Sequence, residues 1–178
     1  GGMVHIGRSR GDYYATLSRM KFRKRLLQLM DEMLAFRRVL VDLVERHTDS
    51  IMPGYTHMQH AQPITLGYYL CAYVHGLERD FARAGDAFDR LNRSPLGLGI
   101  ISGTGFALNR PRTAQLLGFD ALLRNGRDLT DRDYAVESAA AAANAMLHLH
   151  KLATDLYDWA TSEFSIARVD DGDAMTSS

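Results

Sequence analysis

The feature that most constrains the fold is a long helical repeat near the start of the chain. Between residues 14 and 47, apolar side chains recur at alternating steps of four and three, as at Phe22, Leu26, Leu29 and Met33. This spacing places them on one face of an α-helix that packs against other helices. A second apolar row flanks the first, so the helix needs more than one neighbour, as in the middle of a bundle.

Two further segments repeat this pattern. One begins at Thr65 and is stopped by the stretch 92–95, and the other begins at Thr130 and contains the alanine run 139–143. Three long helices with broad apolar faces cannot all be covered within 178 residues, so identical chains are predicted to complete the bundle. We therefore predict an all-α fold, a long-helix bundle completed by oligomerisation, in which residues 1–178 form a single helical domain.

Composition limits the partners and the compartment of this chain. Lys plus Arg equals Asp plus Glu at 21 each, so bulk charge favours neither a nucleic-acid partner nor an anionic membrane. Cys71 is the one cysteine, which excludes an intrachain disulfide and fits a reducing compartment. No apolar run is long enough to span a bilayer. The sequence predicts a cytoplasmic protein with no nucleic-acid or membrane partner.

A polar block interrupts the helices at residues 53–65, PGYTHMQHAQPIT. Gly54 and the two prolines break the helical pattern. Five of the seven residues from 56 to 62 carry side-chain hydrogen-bond donors or acceptors. Taken alone, such a block is read as a solvated loop between helices, although its polarity is high for a simple connector.

Arginine side chains are the candidate binding groups for a carboxylate. The stretch 5–12, HIGRSRGD, precedes the first helix and places two guanidinium groups beside small residues. Arginine suits this task because its planar fork donates two parallel hydrogen bonds to a carboxylate. The alternative for this stretch is a solvated helix cap. Arg110 and Pro111 open a short helix that Gly118 can close, and the alternative for Arg110 is an ordinary surface charge.

Neither a metal nor a cofactor is predicted. A tetrahedral metal site needs more than two ligands, and the candidate ligands occur only as pairs. These pairs are Cys71 with His75, His57 with His60, and His148 with His150. The glycine-rich stretch 94–109 follows no strand pattern and precedes no Gly-Lys-Ser/Thr sequence, so it lacks the context of a phosphate-binding loop.

The polar block identifies a family by resemblance. GYTHMQHAQPIT at 54–65 resembles the GYTH-hydrophobic-Q-x-AQP-[IV]-T block of argininosuccinate lyases, which belong to the fumarase/aspartase superfamily. Other matching blocks follow in the family's order: HIGRSRGD at 5–12, SPLGLG at 94–99, LNRPRTAQLLGF at 108–119 and DRDYAVE at 131–137. The resemblance implies a helical bundle of the fumarase/aspartase type, a homotetramer, and the release of fumarate from an N-substituted aspartate in arginine biosynthesis.

The resemblance also implies roles for individual residues. His57 would be the catalytic acid, a role that suits a side chain titrating near neutrality, and Ser177 would be the catalytic base. The expected substrate-binding residues are Ser9, Arg10, Thr56, Gln59 and Arg110. In the family these groups come from different subunits. Because the signature that continues after Ser177 lies beyond the last residue, the chain is interpreted as a fragment of a larger lyase, cut at the start of the catalytic loop.

Some positions depart from the family pattern and leave alternatives open. Ile6, Gly11 and Tyr13 stand where argininosuccinate lyases usually have Thr, Asn and Gln, and His60 stands where Arg or Lys is common. Loss of the Asn removes a side chain expected to bind substrate. The leading hypothesis is argininosuccinate cleavage, and the second is a paralogue acting on an adduct of the ethylenediamine-disuccinate type. A non-catalytic homologue of the crystallin kind and a plain helical oligomerisation module are the remaining alternatives.

Overall fold

The computed structural model describes residues 2–170 and residue 172. The α-helices are α1 (Arg10–Arg46), α2 (Leu66–Leu91), α3 (Arg110–Leu116) and α4 (Asp133–Trp159). The strands are β1 (Ile51–Thr56), β2 (Gln59–Thr65), β3 (Arg93–Ser94) and β4 (Ala121–Leu122), and short 3-10 turns span Gly2–His5 and Gly126–Thr130. The three long predicted helices are confirmed. Two small two-stranded sheets, β1 with β2 and β3 with β4, add to the predicted all-α architecture.

The chain contacts group into two compact units. The first unit contains residues 1–33 and 81–142, and the second contains residues 34–80 and 143–178. Each of the three long helices contributes one part to each unit. A single helical domain over residues 1–178 stays a prediction.

The first unit is built around a small core on one face of each long helix. Leu26 of α1, Leu91 of α2 and Tyr134 of α4 are buried together. Ala84 and Ala87 of α2 lie among them and are 0% and 1% exposed. Small side chains on α2 allow the larger groups of the neighbouring helices to pack closely. The Tyr134 hydroxyl also donates to Ser18 Oγ at 2.9 Å, so this aromatic side chain is satisfied at both its apolar and its polar end.

Arginines from α1 bind helix carboxyl ends within the first unit. Arg19 donates to the carbonyl of Leu91, the last residue of α2, at 3.0 Å. Arg23 donates to the carbonyls of Leu117 and Gly118 just after α3, at 3.2 and 2.6 Å. The last carbonyls of a helix lack intrahelical partners and carry partial negative charge, so a guanidinium stabilises them. Burial lowers the pKa of Arg19 from its ordinary value, and these contacts hold the connection after α2 against α1.

The polar block at residues 53–65 is not the solvated loop that it resembles when taken alone, because it belongs to an antiparallel hairpin of β1 and β2. Thr56 pairs with Gln59 and encloses a two-residue turn, in which His57 and Met58 have φ values of 51° and 61°. Nearer the base, Gly54 faces a bulge in the partner strand. A Cβ at Gly54 would lie 2.9 Å from the carbonyl oxygen of Gln62, so the absence of a side chain allows this close approach.

The hairpin is joined to α2 as predicted from Thr65. The Thr65 hydroxyl accepts the backbone N–H of Tyr68 at 3.1 Å, which is the bond expected of a helix N-cap. Gly67 then donates its N–H to the carbonyl of His47 at 2.9 Å. A Cβ at Gly67 would lie 2.8 Å from the carbonyl oxygen of Val44. The start of α2 therefore packs directly on the backbone at the end of α1.

Candidate active site

The tip of the hairpin displays the residues that the polar block contributes. Thr56, His57 and Gln59 are all exposed, and Thr56 and Gln59 flank the turn on either side of His57. Just below the tip, the Tyr55 ring packs against the rings of His60 and Phe164, at centroid distances of 5.0 and 5.1 Å. This aromatic contact braces the hairpin while it leaves the His57 imidazole accessible.

The backbone at the tip is strained. Left-handed φ values cost about 1–2 kcal/mol for residues with a Cβ, and both His57 and Met58 adopt them. Met58 is 60% exposed, so burial of its side chain does not compensate for this cost. Strained backbone of this kind persists where the surrounding structure imposes it and is common at functional sites. The strand pairing imposes it here, and it fixes the direction in which His57 leaves the hairpin.

The second group of candidate residues lies at the amino end of α1. Gly11 donates its N–H to Ser9 Oγ at 3.1 Å, and Ser9 donates its own N–H to Asp12 Oδ1 at 3.2 Å. These reciprocal bonds cap the helix, which begins at Arg10, earlier than the repeat predicts. The exposed Arg10 guanidinium and the positive end of the helix dipole both favour an anion here. The Ser9 hydroxyl still has a hydrogen to donate while it accepts from Gly11.

Asp12 is a buried residue that the sequence reasoning did not select. Its side chain is 0% exposed, and Oδ2 accepts the backbone N–H groups of Gly97 and Gly99, each at 3.0 Å. Gly97 and Gly99 have φ values of 87° and 69°, a conformation that favours glycine. Asp12 therefore attaches the buried loop 94–99 to the first turn of α1. The Ser-x-x-Asp spacing before an apolar run was the available sequence signal.

Arg110 lies partly buried against the same loop. Its Nε donates to the carbonyl of Leu96 at 3.1 Å, and Nη2 donates to the carbonyls of Ser94 and Leu123 at 3.4 and 2.8 Å. Burial lowers the pKa of Arg110, and the negative charge of Asp12 opposes this effect. Arg110 is therefore more than a surface charge. Contact with substrate stays a prediction for this residue.

The candidate residues fall into groups that belong to different units. Ser9 and Arg10 are connected to Arg110 through Asp12 and the loop 94–99, all within the first unit. The hairpin group belongs to the second unit. Ser177, the predicted base, lies outside the described residues.

Gly11 is the departure from the family pattern whose surroundings are most informative. A Cβ at Gly11 would lie 3.3 Å from Ile100 Cδ1, 3.4 Å from Leu129 Cδ2 and 3.5 Å from Ser9 Oγ. Two of these neighbours are apolar, and both contacts are close to ordinary van der Waals distance. A Cβ at this position therefore requires Ile100 to move by a few tenths of an ångström.

The described residues contain no group of three or more His, Cys, Asp or Glu side chains placed to hold a metal ion. Cys71 and His75 do approach each other, with Sγ 3.6 Å from Nε2, which is a thiol–imidazole contact between only two potential ligands. Within the same part of the chain, no helix has the length and apolarity needed to cross a membrane.

Comparison with known proteins places the chain in a family. A family model described as a lyase matches residues 1–178. The chain belongs to this lyase family. Curated relatives of the lyase chain include argininosuccinate lyases from Methanosarcina acetivorans, 49% identical, and Geobacillus thermodenitrificans, 44% identical. The alignments cover 100% of the lyase chain but 36% and 39% of these relatives, so the lyase chain spans little more than a third of their length.

Solved structures confirm the predicted fold type. EDDS lyase in complex with formate is 38% identical to the lyase chain, with a TM-score of 0.97 over 99% of this chain and 36% of that one. An EDDS lyase variant with bound fumarate gives a TM-score of 0.96 over the same shares. A fumarate lyase from Mesorhizobium sp. is 24% identical, with a TM-score of 0.76 over 90% of the lyase chain and 38% of that chain, which supports the fold alone. The helical architecture of the fumarase/aspartase type is therefore confirmed.

Proposed function

We propose that the full-length protein is a carbon–nitrogen lyase that converts argininosuccinate into arginine and fumarate, a reaction of arginine biosynthesis. The observation that carries this proposal is the exposed hairpin tip, where His57 stands between the paired Thr56 and Gln59. The 49% identity with an argininosuccinate lyase over the whole chain supports this choice of substrate.

The proposed reaction divides the proton transfers between two residues. Ser177, acting as base, removes a proton from the carbon next to a carboxylate, and the electron pair of that bond gives a dianionic intermediate. The pair then forms the carbon–carbon double bond of fumarate as the carbon–nitrogen bond breaks. His57, acting as acid, donates a proton to the leaving nitrogen. Donors that hold the dianionic intermediate more tightly than the substrate lower the barrier.

The proposed binding roles are supported by the positions of the remaining residues. Arg10 and Ser9 hold one carboxylate at the amino end of α1, where the guanidinium, the hydroxyl and the helix dipole act together. Arg110 keeps the loop 94–99 beside this group and contributes positive charge. Thr56 and Gln59 orient the substrate at the hairpin tip.

The assembly is proposed to be a cytoplasmic homotetramer that uses no cofactor or metal. This chain is proposed to form the central bundle domain of a larger lyase. Large apolar side chains that are 59–75% exposed along α4 support burial by other subunits: Val136, Met146, Leu147 and Tyr157. An apolar surface of this size on one helix is typical of an interface.

The test is to incubate the full-length protein with argininosuccinate and to follow fumarate by its ultraviolet absorbance. Turnover is expected, and His57→Asn should abolish it while leaving the tetramer intact on size-exclusion chromatography. His75→Asn, at an exposed position of α2 outside the candidate active site, is the matched control and should keep wild-type turnover. An active His57→Asn protein would contradict the acid role.

A second substrate is supported by one specific similarity. EDDS lyase aligns with a TM-score of 0.97, and Gly11 removes a side chain that argininosuccinate recognition is expected to use. If argininosuccinate is not cleaved, ethylenediamine-disuccinate and other N-substituted aspartates form the panel to assay next. No turnover of any member by a well-folded tetramer would favour a non-catalytic homologue of the crystallin kind.

A further inference from the structure

A cavity in the second unit plays no part in the proposed reaction. It has a volume of about 600 Å³ and is lined mainly by side chains of α2 and α4. Its lining residues include Tyr69, Tyr73, Cys71, Arg79 and Lys151. A concave site that combines apolar surface with a few convergent polar groups is typical of small-molecule binding.

One carboxylate in the cavity wall accepts hydrogen bonds from two tyrosines. Asp155 is the carboxylate among the described residues that line the cavity, and Oδ2 accepts hydrogen bonds from the hydroxyls of Tyr69 and Tyr73, the latter at 3.2 Å. Burial, with the bond to Asp155, raises the pKa of Tyr69 far above its ordinary value, so this hydroxyl stays a donor. One oxygen of Asp155 is therefore occupied by hydrogen bonds from residues of the cavity wall.

The cationic groups come from two different helices. Arg79 extends from α2 and Lys151 from α4, and both side chains are exposed at the cavity. His148 lies beside them, and its Nδ1 donates to Oδ2 of the fully buried Asp80 at 2.6 Å. Its ring rests on Gly76, where a Cβ would lie 2.9 Å from Cδ2. The buried carboxylate therefore fixes the imidazole in the cavity wall and leaves Nε2 to interact with a ligand.

We propose that this cavity is a binding site for a small dicarboxylate, separate from the candidate active site. Two cationic groups on separate helices match two separated carboxylates better than they match a single-centre anion. The Tyr69 and Tyr73 rings and the apolar part of the wall suit the hydrocarbon between the carboxylates. The inference rests on the cavity and not on the proposed reaction, although fumarate belongs to the same chemical class.

Cys71 provides a local readout of occupancy. Cys71 is one of the residues that line the cavity, so a ligand held there should shield its thiol from a neutral alkylating reagent. The experiment measures the rate at which iodoacetamide modifies Cys71 in the full-length protein, by peptide mass spectrometry, with and without succinate. Modification is expected to slow roughly tenfold at about ten times the Kd of succinate. Acetate at equal ionic strength should give no protection.

Variants test which groups hold the ligand. Lys151→Gln and Arg79→Gln should each abolish protection, whereas Lys24→Gln, at an exposed position of α1, should keep it. The proposal is overturned if succinate does not slow modification, if acetate or phosphate protects equally well, or if Cys71 reacts only after unfolding because another subunit covers the cavity.

Failure of this proposal is distinguishable from failure of the proposed function. His57→Asn should keep succinate protection while it loses fumarate release. Protection in a wild-type protein that cleaves no aspartate adduct would overturn the proposed function alone. Turnover without protection would overturn the dicarboxylate site alone.

Discussion

The carboxylate of Asp12 accepts the backbone N–H of Gly97 at 3.0 Å, across 85 positions of the sequence. Gly99 donates to the same oxygen, and Ser9 donates to the other one. A buried carboxylate is tolerated when N–H donors compensate for its loss of hydration. Asp12, which is not among the predicted binding residues, thus attaches the amino end of α1 to the loop 94–99.

Asp12→Asn is expected to destabilise the protein. An amide presents only one acceptor oxygen where both carboxylate oxygens accept bonds, and hydrogen bonds to a charged group contribute about 1.5–3 kcal/mol. We expect the free energy of unfolding to fall by about 2–3 kcal/mol in urea titrations of the full-length protein at fixed concentration. Asp31→Asn, at an exposed position of the same helix, should stay within about 0.5 kcal/mol of wild type. Equal stability of the two variants would contradict this role for Asp12.

Gly11→Asn is expected to improve cleavage of argininosuccinate if that is the substrate. The substitution adds a hydrogen-bonding amide to the segment that contains Ser9 and Arg10, and its Cβ alone would require Ile100, at 3.3 Å, to move by a few tenths of an ångström. We expect kcat/KM to rise by about tenfold, which corresponds to about 1.4 kcal/mol. Gly11→Ala adds the Cβ without the amide and should give no rise. An equal gain in both variants would show that backbone stiffening, and not recognition, is responsible.

Met58→Gly is expected to stabilise the hairpin. Glycine removes the cost of the left-handed φ of 61°, and the exposed Met58 side chain loses little burial, so the free energy of unfolding should rise by about 1 kcal/mol. Met58→Ala removes the same side chain but keeps the Cβ, and it should give no gain. Urea titrations of the three proteins compare these values. A loss of stability in the glycine variant would mean that Met58 makes contacts in the assembly that outweigh the strain.

Tyr69→Phe is expected to change how stability depends on alkaline pH. The pKa of Tyr69 is raised in the folded state from an ordinary value of 10.0, so its stabilising effect is fully present below pH 10 and is lost as the pH rises above it. The stability difference between wild type and Tyr69→Phe should therefore be constant from about pH 7 to pH 9 and shrink toward about pH 11. A constant difference for Tyr69 would contradict its burial against Asp155.

The long helices were predictable because each repeats its apolar spacing over many turns, which averages out local exceptions. The cap at Thr65 was predictable from residue type. The hairpin was not, because two-residue turns are usually signalled by Asn-Gly or Asp-Gly, and His57 and Met58 carry no such signal. Their left-handed backbone is imposed by the pairing of Thr56 with Gln59, which a local propensity does not express.

Part of the candidate site could likewise be predicted from the sequence, and part could not. His57 and Arg10 could be proposed from sequence because the motifs that resemble the family contain them, and their roles stay predictions. The role of Asp12 could not be predicted, because its partners Gly97 and Gly99 lie 85 and 87 positions away. Arg110 was selected from sequence as a candidate binding residue. Its bonds to three backbone carbonyls could not be predicted, because they depend on the conformation of the loop.

The loop 94–99 is attached to Asp12 through backbone N–H groups. Separation of the loop from α1 can therefore be followed by hydrogen exchange. The amide hydrogens of Gly97 and Gly99 exchange with solvent only when they separate from Asp12. Their exchange rates therefore report the opening of the first turn of α1, the turn that carries Arg10, without any probe attached to it. Exchange at these two glycines therefore measures how often the first turn of α1 opens.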